Sequence, residues 1–183
     1  MRIRTAQITD AKAIAQVHVD SWRSTYKGIV PDDHLTNLSY ERRERGWRDI
    51  LANIESQRSF VYVAEDEAKK IVGFVNGGPE RENDPFYKGE LYAIYLLESY
   101  QHKGIGRQLI RVATLQLIER GFKAMLIWVL ADNPPRRFYE RIGGRPVREK
   151  KIKIGGADFV EVAYAWSDIH PLTESIAPKE SSE

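Results

Sequence analysis

Gln101-His102-Lys103-Gly104-Ile105-Gly106-Arg107 separates two stretches of opposite character. Before it, Glu90-Leu91-Tyr92-Ala93-Ile94-Tyr95-Leu96-Leu97 is rich in aromatic and branched residues and reads as a strand. After it, Leu109, Val112, Ala113, Gln116 and Leu117 recur at helical spacing as far as Gly121, which suits a C-terminal cap. A helix start carries unpaired N–H groups and partial positive charge. Glycines let the preceding turn bring its own N–H groups close to an anion, and a pyrophosphate fits that arrangement. Lys103 and Arg107 add positive charge. The plainer alternative is a glycine turn that only starts a helix, and two glycines alone do not decide between them.

Two other phosphate motifs fit poorly. A Walker loop ends in Gly-Lys-Ser/Thr, whereas this turn ends in Gly106-Arg107-Gln108. A dinucleotide fingerprint requires a third glycine where Leu109 stands, and an early parallel βαβ unit.

Outward from the turn, the chain reads as one α/β domain with a mixed sheet. Ile3 begins a short strand. A helix follows from Thr9-Asp10, with Ile14, Val17, His18, Trp22 and Tyr26 on one face and Gly28 and Pro31 ending it. A second helix is expected over residues 39–54. Residues 60–64 and 71–75 form a hairpin, and residues 80–88 a polar loop. Beyond the long helix come a buried strand at 123–129, a short helix at 134–142 and two strands at 147–154 and 159–166. The order is β-α-α-β-β-β-α-β-α-β-β, with helices on both faces of one sheet. The domain is expected over residues 1–170, with a polar tail over 171–183.

The chain's 183 residues are 42% hydrophobic and 30% charged, a globular balance for one domain. Net charge is +2, too small to indicate nucleic acid, and no stacking module is present. There is no cysteine, which excludes disulfides, thiolate metal sites and a cysteine nucleophile. The N-terminal residues lack the apolar core of a signal peptide. The longest apolar run, residues 124–131, has eight residues where a membrane span needs roughly 20. The expectation is a cytoplasmic protein that binds no metal, membrane or nucleic acid. A homodimer is compatible with these features.

The turn, in the setting Leu-Tyr-Ala-Ile-Tyr-Leu…Gln101-x-x-Gly104-x-Gly106, resembles the acetyl-CoA motif of the GNAT superfamily of N-acyltransferases. The stretch Asn133-Pro-Pro-Arg-Arg-Phe138-Tyr139-Glu-Arg-Ile-Gly143-Gly144 is similar to that superfamily's Asn…Phe/Leu-Tyr-Glu-x-x-Gly segment. Pro135 departs from the Ala found in many members. The element order also agrees over about residues 2–166. The resemblance implies that acetyl-CoA is a cosubstrate whose pantetheine arm lies along Ile94, Tyr95 and Leu96. It places the pyrophosphate on Gln101, His102, Lys103, Gly104, Ile105, Gly106 and Arg107, and Asn133 against the arm.

The implied chemistry is acyl transfer to an amine. An N–H near Leu96 is the candidate to polarise the thioester carbonyl. Glu90, four residues before Ile94, is the candidate base, at a position where some members carry a catalytic glutamate. An ordinary carboxylate (pKa about 4.3) is a poor direct base for an ordinary alkylammonium (about 10.4), which favours a water-bridged route. Tyr139 is the candidate acid near the sulfur. Transfer from an ordinary phenol to an ordinary thiolate is uphill by only about 2 kcal/mol. Trp22 and Tyr26 are the candidates for the acceptor pocket, with core packing the alternative for Trp22 and Tyr26 the stronger candidate of the two. A small-molecule amine is the expected acceptor. A protein lysine or N-terminus, or a non-catalytic CoA sensor, is the alternative.

Overall fold

The computed structural model describes residues 1–174. The strands are β1 (Arg2–Thr5), β2 (Phe60–Glu65), β3 (Ile71–Pro79), β4 (Gly89–Leu96), β5 (Met125–Leu130), β6 (Arg145–Ile154) and β7 (Ala157–Trp166). The helices are α1 (Ala11–Thr25), α2 (Asp32–Thr36), α3 (Tyr40–Ala52), α4 (Ile105–Glu119) and α5 (Arg136–Arg141). All the elements read from the sequence are present. The short α2 is additional: its five residues are too few for an apolar period to register. Residues 53 and 54 leave the second expected helix, because Asn53 caps it. The expected tail begins with a 3-10 turn, His170–Thr173, held by the Arg111 Nε–H donating to the Thr173 carbonyl. Its remainder, residues 175–183, lies outside the described residues. Among the described residues, no helix is long and apolar enough to cross a membrane.

One sheet contains all seven strands, in the order β1-β2-β3-β4-β5-β7-β6. Every pairing is antiparallel except β4 with β5. The apolar stripe of α4, through Leu109, Ile110, Ala113 and Leu117, packs on one face against Leu91, Met125 and Ile127. A fully buried Leu or Ile of this kind contributes about 1.5–3 kcal/mol. On the opposite face, Ile14 and Val17 of α1 and Trp47 of α3 pack on Val61, Val63 and Phe74. The Ser39 hydroxyl caps α3 by accepting from the Arg42 N–H at 3.1 Å.

The parallel pair defines the site. β4 and β5 are in register only from Gly89 opposite Met125 to Leu91 opposite Ile127. At that point β4 carries a bulge: Leu91 faces Gly77 and Ala93 faces Asn76, so Tyr92 is the extra residue. Beyond it β4 continues on β3 while β5 continues on β7. The sheet therefore opens into a wedge after Leu91.

Candidate active site

The wedge exposes backbone. The Leu97 N–H donates to the Val72 carbonyl at 2.9 Å. That bond fixes the alternation along β4: Tyr95 and Leu97 direct their backbone groups to β3, and Ile94 and Leu96 direct theirs into the wedge. The Leu96 carbonyl accepts from Gln101 Nε2 at 3.2 Å. The Leu96 N–H and both backbone groups of Ile94 have no partner among the described residues. Tyr95 contributes differently from its two neighbours. Its backbone belongs to the sheet, and its side chain enters the opposite face.

The turn lies at the wide end of this edge. Gly104 has φ +79° and stands at the N-cap of α4, and His102 also has positive φ. A left-handed N-cap without a side-chain cap leaves the first turn of α4 unbonded. The first internal bond is from the Gln108 N–H to the Gly104 carbonyl at 3.2 Å, and the N–H groups of Ile105, Gly106 and Arg107 precede it. A Cβ on Gly104 would meet nothing within 4 Å, so the turn faces open space. The side chains of His102, Lys103 and Arg107 are exposed around it, while Ile105 points into the core.

Across the wedge, Asn133 follows β5. It is 7% exposed, its Nδ2 donates to the Tyr26 hydroxyl at 3.3 Å, and its Oδ1 is buried without a partner. Tyr139 stands on α5, which the sheet anchors twice: the Tyr164 hydroxyl donates to Glu140 at 2.8 Å, and Trp166 Nε1 donates to the Ile142 carbonyl at 3.0 Å. Gly143, at φ +90°, turns the chain out of α5 toward β6. Burial holds the Tyr139 phenol well above its ordinary pKa, and the nearby Tyr95 hydroxyl adds to the effect. Tyr139 is thus a hydrogen-bond donor at any physiological pH.

Glu90 lies at the apex of the wedge and is 2% exposed. Its carboxylate accepts from Arg81 three times: from Nη2 at 2.6 Å, from Nε at 3.1 Å and from the backbone N–H at 3.1 Å. Another carboxylate, absent from the sequence reading, occupies the same face. Glu161 on β7 is opposite Leu130, half-buried, and its nearest cation is Lys150 at 3.9 Å. Burial raises its pKa, with Lys150 and Arg81 opposing that effect and Glu82 and Glu90 reinforcing it. A lone Glu in an alternating strand carries no local signal, so nothing in the sequence could have singled it out.

A cavity of about 470 Å³ opens on the α1/α3 face. Tyr92 and Ala93, the residues at which β4 leaves β5, form part of its floor together with Asn76. Trp22 lines it, and its Nε1 donates to the Tyr95 hydroxyl at 2.9 Å. His18 also lines it and stacks on Tyr95 with ring centroids 4.8 Å apart. Trp47 Nε1 donates to His18 Nδ1 at 3.2 Å, and burial drives the imidazole pKa down to about 3, so the ring is neutral. Tyr26, the stronger sequence candidate for a pocket wall, does not line this cavity. It is buried against Val30, Leu35 and Leu130, because the last turn of α1 docks on the end of β5. Of the two aromatic candidates, Trp22 lines the cavity, while the Tyr26 ring is buried in the core and only its hydroxyl reaches the wedge, at Asn133.

The fold agrees with what comparison to known proteins gives. The model of the acetyltransferase (GNAT) family matches residues 17–144. The chain is 41% identical to a Bacillus subtilis protein named "Uncharacterized N-acetyltransferase YuaI", over 93% of this chain and 95% of that one. It is 24% identical to the spermidine N(1)-acetyltransferase of Thermoplasma acidophilum, over 73% of this chain and 80% of the relative. In fold it is similar to the PaiA N-acetyltransferase of Thermoplasma acidophilum solved with coenzyme A. That match has a TM-score of 0.70 and 22% identity, covering 88% of this chain and 96% of that one.

Proposed function

The chain is an acyltransferase of the acetyltransferase (GNAT) family, and from that premise we propose that it transfers acetyl from acetyl-CoA directly to the primary amine of a small molecule. The observation that carries this reading is the junction of two spaces: the wedge between β4 and β5 meets the cavity at Tyr92 and Ala93. One space suits an extended amide-containing arm, and the other suits a compact acceptor. A volume of about 470 Å³ is in the range of small-molecule sites and supports a small acceptor over a protein segment.

The residues present fit the cosubstrate. Free backbone groups at Ile94 and Leu96 pair with an amide arm as a strand edge does. The orphaned Asn133 Oδ1 accepts from an N–H of such an arm. The N–H groups of Ile105, Gly106 and Arg107, with the Lys103 and Arg107 charges, hold a pyrophosphate, while Gln101 ties the turn to Leu96. When bound, acetyl-CoA supplies the acetyl thioester and a thiolate leaving group. The Leu96 N–H polarises the thioester carbonyl. Tyr139 donates a hydrogen bond at the sulfur. Because burial weakens it as an acid, its contribution is stabilisation of the thiolate more than full proton transfer.

Two carboxylates are candidates for the base. Glu90, the one read from the sequence, acts through water, since Arg81 holds its oxygens in place. Glu161 is the second reading, favoured by its weaker pairing and its raised pKa, both of which suit a proton acceptor. The two readings separate on exchange. Loss of most of kcat in Glu161→Gln, with Glu90→Gln affecting mainly stability, selects Glu161; the reverse pattern selects Glu90.

The reading is tested with radiolabelled acetyl-CoA, with and without a panel of amines. Label on the amine and none on the protein is expected. A kinetically competent acetyl-enzyme in the mass spectrum overturns direct transfer. Tight acetyl-CoA binding without transfer to any amine, including a lysine peptide, replaces the enzyme with a sensor.

A further inference from the structure

The charge on the cavity wall narrows the acceptor. Arg42 and Arg43 of α3 line the cavity, and no Asp or Glu does so among the described residues. Neither arginine has an ion-pair partner among the described residues, whereas Arg48 of the same helix is bonded to Glu44 at 2.7 Å. Arg43 is half-buried, and burial disfavours its charge. A partly desolvated guanidinium facing a half-open cavity without a counterion repels cations and attracts anions.

A second observation comes from the floor. Asn76 on β3 is 6% exposed, lines the cavity, and its Oδ1 is buried without a hydrogen-bond partner. An orphaned acceptor of that kind is costly unless a ligand donor meets it. The cavity therefore presents an acceptor group on the sheet side, beside the wedge, and positive charge on the helix side. Between them are the apolar rings of Trp22, Trp47 and Tyr92.

Resting on the reading of this cavity as the acceptor site, we infer that the acceptor is an amine that also carries a carboxylate, on an apolar or aromatic body, and is not a polyamine. The amine N–H groups meet Asn76 at the wedge end, and the carboxylate meets Arg43, with Arg42 at the rim. Arg43 is the half-buried guanidinium and balances one negative charge, whereas Arg42 is exposed at the rim, where water screens it. His18, whose ring is neutral, adds none, so a single carboxylate suits the interior better than a doubly charged phosphate. A polyamine would place its second ammonium against Arg43 with no carboxylate to receive it.

The test uses the full chain, acetyl-CoA and matched acceptors: L-phenylalanine against phenethylamine, L-methionine against its methyl ester, and O-phosphoethanolamine and spermidine. Released CoA is read with a thiol reagent, to which the protein contributes no background because it has no cysteine. The carboxylated member of each pair is expected to exceed its partner by about ten- to a hundredfold in kcat/KM, the worth of one charged hydrogen bond. Arg43→Gln is expected to abolish the preference through KM, and Arg43→Lys to restore part of it. Spermidine or the uncharged partners equalling the carboxylates overturns the inference, as does a preference that Arg43→Gln leaves intact or silence from every carboxylated amine. Phosphoethanolamine as the best acceptor overturns the carboxylate in favour of phosphate. Calorimetry with acetyl-CoA alone keeps this outcome distinct from failure of the enzyme reading, since an acyltransferase with another acceptor still binds the cosubstrate.

Discussion

Arg81 and Glu90 form a three-bond clamp, with Arg81 Nη2 2.6 Å from Glu90 Oε1 and the Arg81 Nε–H and backbone N–H both on Oε2. The two ends differ: the Glu90 side chain is 2% exposed and that of Arg81 is 59% exposed. Arg81 also lies over the Tyr92 ring at 4.2 Å, which ties the clamp to the bulge where the wedge begins. Arg81→Leu strands a buried carboxylate at that apex. A loss of about 2–3 kcal/mol is expected, less than the 3–5 of a fully buried pair because water reaches the arginine. Urea denaturation checks it, and Arg81→Lys should recover only part.

Gly104 is the position where charge decides the outcome more than space does. A Cβ there meets no neighbour, and the φ of +79° makes a side chain strained by about 1 kcal/mol. Gly104→Glu is expected to keep the fold and abolish CoA binding, by placing a carboxylate among the α4 N–H groups. Gly104→Ala should keep most of the affinity. Calorimetry with CoA on both variants, beside their thermal melts, tests this; normal affinity in the glutamate variant removes the pyrophosphate from this turn.

Tyr139→Phe removes one hydroxyl from a ring that stays packed on Tyr164 and Trp166. Turnover should fall by about 10²-fold or more, with acetyl-CoA affinity nearly unchanged. Because burial lifts the phenol pKa, no basic limb from Tyr139 should appear in the wild-type pH profile below the ordinary tyrosine range. Unchanged turnover in the variant ends the assigned role.

His18 makes the fold acid-sensitive. Its pKa falls from 6.5 to about 3 on folding, so the unfolded chain binds a proton that the native state rejects. Stability from this group is complete above pH 6.5 and is lost as pH falls toward 3, by at most roughly 4–5 kcal/mol. Melting temperature should fall as pH is lowered through that window, so that it rises with pH from about 3 to 6.5. His18→Phe should flatten it, whatever its effect on absolute stability.

The sequence made the order of elements legible because the signals are local. Gly121 and Gly143 end helices, Ser39 starts one, and β2 and β3 alternate or run apolar in short stretches. The phosphate turn was legible for the same reason: everything it needs lies within seven consecutive residues. Roles on β4 were less legible. Ile94, Tyr95 and Leu96 are adjacent in sequence, but the phase set by the Leu97–Val72 bond gives the wedge only the first and third. Trp22 and Tyr26, four residues apart on one helix, share a side of α1. Only the docking of the last turn on Leu130 assigns one to the cavity and the other to the core.

The sequence by itself determined the helix start that can grip an anion, its lack of a cysteine nucleophile, and the strand–turn–helix order around it, because those depend on bonding within a few residues. The tertiary structure alone decided which backbone edge is open, that Arg81 holds Glu90, that Glu161 joins the same face, and that two arginines confront an unpartnered Asn76 across one cavity. These are contacts between distant segments. They exist only once β4 has paired with β3, separated from β5 at Tyr92, and been covered by α1 and α3.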